Sequence, residues 1–174
     1  ILGKPLGVGI YSAAIKKQQL QDDDYAALLA CTTRLNTPGM ALGRMDAVHA
    51  LTDVTGFGLL GHLLEICRGS SVGAQIGFDR LPLLPAALSL ATASLVTGAS
   101  ARNWASYGAE VTLAPGIDPA RRALLSDPQT SGGLLVACAP EASAAVLAVF
   151  RAEGFGDACV IGTICAGPSR VEVV

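Results

Sequence analysis

The stretch "ALTDVTGFGLLGHLLE", Ala50 to Glu65, reads as the end of a strand, a glycine turn and the start of a helix. Val48, Ala50 and Thr52 alternate against His49, Leu51 and Asp53, as on a half-buried strand. From Phe57 to Arg68, Leu59, Leu60, Leu63, Leu64 and Cys67 make one apolar helical stripe, with His62 and Glu65 off it and Gly69 as the expected stop. Thr55 is placed as an N-cap. Between strand and helix, Gly56, Gly58 and Gly61 spell GxGxxG, the spacing of a dinucleotide-binding turn, and Asp79 stands about 20 residues on, where a ribose-binding carboxylate is expected. Asp53 argues the other way. A bare carboxylate just before such a turn repels a pyrophosphate, whereas one that holds Mg²⁺ bridges to it, because Mg²⁺ takes one or two carboxylates together with phosphate oxygens. On these residues alone a plain structural turn, a magnesium-phosphate edge built on Asp53 and a Rossmann-type module all stay open.

A second polar, glycine-bearing loop, "SDPQTSGG" from Ser126 to Gly133, runs into the apolar strand Leu134 to Cys138. Asp127 and Pro128 start a turn, Gln129, Thr130 and Ser131 offer short polar groups, and the two glycines permit close backbone approach. It is either a phosphate or substrate edge or a tight connection. Neither loop holds a Ser/His/Asp or Cys/His pattern for nucleophilic work, and His62 reads as a surface or hydrogen-bonded residue.

Elsewhere helices and strands alternate without repeats. Asp22 to Asp24 start a helix, Asp118 and Pro119 start another, Pro140 opens a third that closes at Gly154, and short helices are expected at 41–46 and 86–95. "VGAQIGF", "AEVTLAP", "ACVIGTI" and "RVEVV" read as strands, and the opening "ILGKPLGVGI" as an edge or irregular strand. "VTGASARNWASYG" has no clean apolar period and is expected to be a surface loop, with Arg102, Asn103, Trp104 and Tyr107 available for recognition. The expectation is a mixed sheet with helices packed on it.

At 174 residues and 51% hydrophobic content, the chain is long enough for a real core and reads as one domain, 1–174. Twelve Lys and Arg against fourteen Asp and Glu, without a basic run, give no footprint for nucleic acid, and the most apolar stretch, Leu81 to Val96, falls short of a membrane span. Five cysteines without a CxxC pair suggest neither a disulfide framework nor zinc, so reduced, cytosolic thiols are expected, with Cys67, Cys138 and Cys159 buried. An opening on Ile1 without a charged leader is the expectation for a piece of a longer chain.

"KPLGVGI", "HALTDVTGFGLLGHLLE", "LPLLPAAL", "TGASARNW", "DPQTSGGLLVACAPE" and "GDACVIGTI" together resemble, in order and over nearly the whole chain, the C-terminal domain of the selenophosphate synthetase family. The two longest motifs are specific; the others are shared loosely with aminoimidazole ribonucleotide synthetases, hydrogenase-maturation dehydratases and thiamine-monophosphate kinases, so another member of this ATP-dependent superfamily is the alternative. The resemblance implies an α+β fold, a three-layer α/β/α arrangement with a mixed β-sheet. It also implies an enzyme that makes selenophosphate from selenide, ATP and water, releasing AMP and phosphate. Most ATP and Mg²⁺ ligands, and the catalytic Cys or selenocysteine and Lys, would lie in an N-terminal domain absent here, through which the enzyme pairs as a homodimer. Neither Lys4 nor any cysteine of this chain corresponds to those catalytic groups. By the same resemblance Asp53 is the one metal ligand from this half, Thr55, Gly56 and Gly58 shape the wall beside the phosphates, and Asp127, Thr130 and Ser131 rim the cleft. The chain alone is expected to be inactive.

Overall fold

A computed structural model describes residues 1–174. In chain order the helices are α1 (Val8–Lys16), α2 (Asp22–Thr33), α3 (Pro38–Leu42), α4 (Gly58–Ser70), α5 (Ala87–Thr92), α6 (Gly98–Tyr107), α7 (Pro119–Leu125) and α8 (Ser143–Ala152). The strands are β1 (Val48–Asp53), β2 (Gly73–Ile76), β3 (Val111–Leu113), β4 (Leu134–Cys138), β5 (Gly162–Cys165) and β6 (Val171–Val173). They form an antiparallel ribbon, β1–β4, and a four-stranded mixed sheet in the order β3–β6–β2–β5, whose first two pairings are parallel and whose last is antiparallel. The opening residues tie the two together. The Ile1 and Val136 backbones exchange hydrogen bonds, while Leu2 exchanges them with Cys159 on the other side.

Strand β4 shows why a continuous apolar run was needed. Leu134 and Val136 face a small core with Leu42, Val146, Phe150 and Phe155 from the α3 and α8 side, while Leu135 faces the main core with α1, α4 and α7. Both faces of the ribbon are therefore covered by helices, the three-layer arrangement. The four-stranded sheet is covered on one face only, and on its open face Gln75 donates to Glu172 at 2.9 Å. Helix α4 buries Leu59, Leu60, Leu63, Leu64 and Cys67 in the main core, each leucine contributing about 2 kcal/mol. No helix is long and apolar enough to cross a membrane.

Three expectations change. The strand reading of the opening holds only as isolated bridges at Leu2 and Leu6; α1 begins at Val8 because its first turn is capped by side chains more than a hundred residues away. The expected surface loop at 96–108 is helix α6, started by the Thr97 hydroxyl accepting from the Ser100 amide at 3.1 Å. Its buried face is polar, Ser100, Asn103 and Tyr107, so no apolar period announces it. The Rossmann reading also fails: β1 and β2, the strands on either side of α4, belong to different sheets, and β1 pairs antiparallel with β4. Asp79 lies exposed in a short 3₁₀ turn, Phe78–Arg80, beyond β2.

Candidate functional site

The two polar loops singled out in the sequence lie side by side. Asp53 pairs with Leu134 across the ribbon, the Val54 amide donates to the Gly133 carbonyl at 2.9 Å, and the Gln129 amide donates to the Thr55 carbonyl at 2.9 Å. Their approach depends on missing side chains. A Cβ on Gly132 would overlap the Val54 carbonyl oxygen, and one on Gly58, where φ is +70°, would sit 2.7 Å from the Ser126 carbonyl carbon. Gly56 faces open space. Helix α6 then fixes the turn: Asn103 Nδ2 donates to the Gly56 carbonyl at 2.8 Å and Tyr107 Oη to the Phe57 carbonyl at 2.7 Å. Asn103 and Tyr107 are thus buried supports of this site and not recognition groups on a loop, and burial pushes the Tyr107 phenol upward.

Along this edge Asp53 is the last residue of β1, exposed, and its carboxylate makes no hydrogen bond within the chain. Val54, next to it, is fully buried, while Thr55 beyond it is half-buried. Thr55 does not cap α4, whose N-terminus has no side-chain cap. Its hydroxyl lies 3.1 Å from His62 Nε2, and His62 Nδ1 lies 2.8 Å from Glu65 Oε2. His62, expected off the apolar stripe, is buried under the turn. This hydroxyl, imidazole and carboxylate chain was missed because Thr55 lies in the turn before α4 and the other two within the helix; the signal for half of it was a His and a Glu at i, i+3 on one helix. Thr130 and Ser131 are exposed beside the edge and their hydroxyls make no hydrogen bond within the chain.

Asp127 has a different fate from its expected place on the rim. It is fully buried, and its Oδ2 accepts from the Gly9 amide at 2.9 Å, the Ile10 amide at 3.2 Å and Gln129 Nε2 at 2.9 Å. Gln129 Oε1 accepts from the Gly7 and Val8 amides. Two side chains of the loop therefore satisfy all four unpaired amides at the start of α1. Asp127 Oδ1 has no partner, and burial pushes this carboxyl up to about 7 against the pull of its donors. Lys4, also buried, donates from Nζ to the Arg34 carbonyl at 2.6 Å and the Ser131 carbonyl at 2.8 Å, clamping the loop to the end of α2, and burial lowers its pKa.

The cysteines follow their own pattern: Cys31 and Cys67 are buried, Cys138 and Cys159 half-buried, and Cys165 exposed. A cavity of about 380 Å³ between the ribbon and the four-stranded sheet and another of about 570 Å³ among α5, α6 and α7 include none of Asp53, Thr55, Thr130 or Ser131.

The chain is 59% identical over 174 residues to the selenide, water dikinase of Paraburkholderia xenovorans (strain LB400), covering all of this chain and 49% of that one. It thus spans about half the length of the curated relatives it matches. In fold it resembles the crystal structure of E. coli HypE, with a TM-score of 0.70 at 20% identity over 99% of this chain and 44% of that one. It also resembles the hydrogenase maturation protein HypE crystallised in complex with ATP, with a TM-score of 0.60 at 18% identity over 99% of this chain and 45% of that one. The family described as "AIR synthase related protein, C-terminal domain" matches residues 1–174, and the chain belongs to that family.

Proposed function

We propose that this chain is the C-terminal half of a selenide, water dikinase, an enzyme that makes selenophosphate from selenide, ATP and water and releases AMP and phosphate. The observation that carries the reading is the exposed Asp53 carboxylate, without a partner in the chain, at the edge where both glycine loops meet. The chain offers no cluster of three or more His, Cys, Asp or Glu side chains able to enclose a metal. One free carboxylate beside an open turn fits a Mg²⁺ ion whose other ligands are nucleotide phosphates and groups from a second domain. When bound, that ion supplies charge neutralisation on the transferring phosphates.

This chain's own residues then act as wall and anchor. Asp53 holds the metal, Thr55, Gly56 and Gly58 line the phosphate side, and Thr130 and Ser131 rim it, while Asp127 belongs to the scaffold beneath. Residues 1–174 form one domain of a cytoplasmic homodimer, set against an N-terminal domain that carries the reacting groups and most ATP ligands. Because phosphoryl transfer rests on positioning and charge neutralisation, half a site is expected to give no turnover. In an intact enzyme of family length carrying this chain, Asp53→Asn is expected to lower selenide-dependent AMP formation at least about 100-fold without moving the unfolding midpoint. Unchanged activity at saturating Mg²⁺, or AMP formation by residues 1–174 alone, would overturn the proposal.

A further inference from the structure

With the imidazole neutral, the chain of Thr55, His62 and Glu65 has one direction. His62 is 7% exposed, and the Phe57 ring lies 5.8 Å from it at 49°, while half of the Glu65 side chain reaches solvent. An ionised carboxylate can only accept, so the 2.8 Å contact with Glu65 requires the proton on His62 Nδ1. In the neutral imidazole Nε2 is then bare and accepts, and the Thr55 hydroxyl must donate across their 3.1 Å contact. With its single proton committed inward, Thr55 Oγ1 has only lone pairs left for the cleft. A phosphate oxygen, itself an acceptor, finds no hydrogen bond there.

We propose that His62, backed by Glu65, is a positioning residue that fixes Thr55 as an acceptor beside Asp53, so that this wall receives a metal-bound water and not a bare phosphate oxygen. Asp53 and Thr55 flank the buried Val54, Asp53 exposed and Thr55 half-buried, so a carboxylate and a hydroxyl stand two residues apart along one edge. The inference rests on the reading of Asp53 as a metal ligand. The arrangement gives the wall two neighbouring acceptors, which suits a hydrated cation better than an anion.

Two measurements test it, the first independent of any activity. Long-range ¹H–¹⁵N NMR of residues 1–174 at pH 8, without metal or nucleotide, should find His62 as the Nδ1-protonated tautomer; His49→Gln assigns the signals, since the chain has two histidines. Glu65→Ala should let the tautomers average. An Nε2-protonated or averaged imidazole in the unaltered chain would overturn the inference. The second measurement uses an intact enzyme of family length carrying this chain. Thr55→Val and His62→Leu should each raise the Mg²⁺ concentration for half-maximal ATP consumption about tenfold, the worth of one hydrogen bond to a charged group. The double variant should be no worse than either, and His62→Gln, whose amide oxygen can accept from Thr55, should recover most of the loss. Additive effects, or an unchanged Mg²⁺ requirement in His62→Leu, would overturn it. If the unaltered intact enzyme consumed no ATP with selenide, the functional reading would fall, and the tautomer would still decide the hydrogen-bond assignment.

Discussion

Asp53 ends β1 and Asp127 stands in the adjoining loop, each beside glycines and short polar residues, yet the fold uses them in opposite ways. Asp127 is fully buried and spends one oxygen on two amides at the start of α1 and on the side-chain amide of Gln129. Asp53 is exposed and makes no hydrogen bond within the chain. A carboxylate already engaged with the scaffold is not available to a cation, and one that the scaffold leaves alone is. The glycines divide in the same way: Gly58 is required by its left-handed backbone and by the Ser126 backbone against it, whereas Gly56 faces open space. Each loop thus contains a part that holds the fold together and a part that the fold does not need.

The largest effect expected from that division is at the glycines. Gly58→Ala should destabilise the chain by about 3 kcal/mol, through left-handed strain and collision with backbone that cannot yield, while Gly56→Ala should cost less than about 0.5 kcal/mol. Denaturant titration of the two variants would break the comparison if their costs came out alike.

The smaller effect is in pH. Burial pushes the Asp127 carboxyl up to about 7 from 3.8, so the folded state binds this proton more tightly than the unfolded chain. Its contribution therefore favours folding fully below 3.8, is lost as pH rises toward about 7, and is flat above that. Compared with Asp127→Asn, which cannot titrate, the unaltered chain should lose stability steadily between about pH 4 and 7. A difference that stays constant, or grows in favour of the unaltered chain with pH, would contradict this account of Asp127.

Much of this was legible because it is local. The stripe of Leu59, Leu60, Leu63 and Leu64, the apolar run of β4, and Asp118 with Pro119 at the start of α7 all announce themselves within a few residues, and the Asp118 side chain does accept from the Arg121 amide at 2.8 Å. The start of α1 was not legible, since its cap comes from Asp127 and Gln129 across the chain. Helix α6 was hidden by a buried face made of Ser100, Asn103 and Tyr107, which carries hydrogen bonds where a hydrophobic period would carry leucines. For the site, the spacing of Asp53 from its glycines led to the edge where the two loops meet. Motif composition could not separate a carboxylate on the surface from one beneath it, which is why Asp127 was placed on the rim.

The division of labour between the two aspartates is tested most directly by equilibrium urea unfolding of Asp53→Ala and Asp127→Ala in residues 1–174, under one set of conditions. Asp53→Ala should stay within about 0.5 kcal/mol of the unaltered chain, as a surface change does. Asp127→Ala, which leaves the Gly9 and Ile10 amides and one Gln129 amide hydrogen without their acceptor, should lose about 2 kcal/mol. Equal losses, or the larger loss at Asp53, would contradict the account.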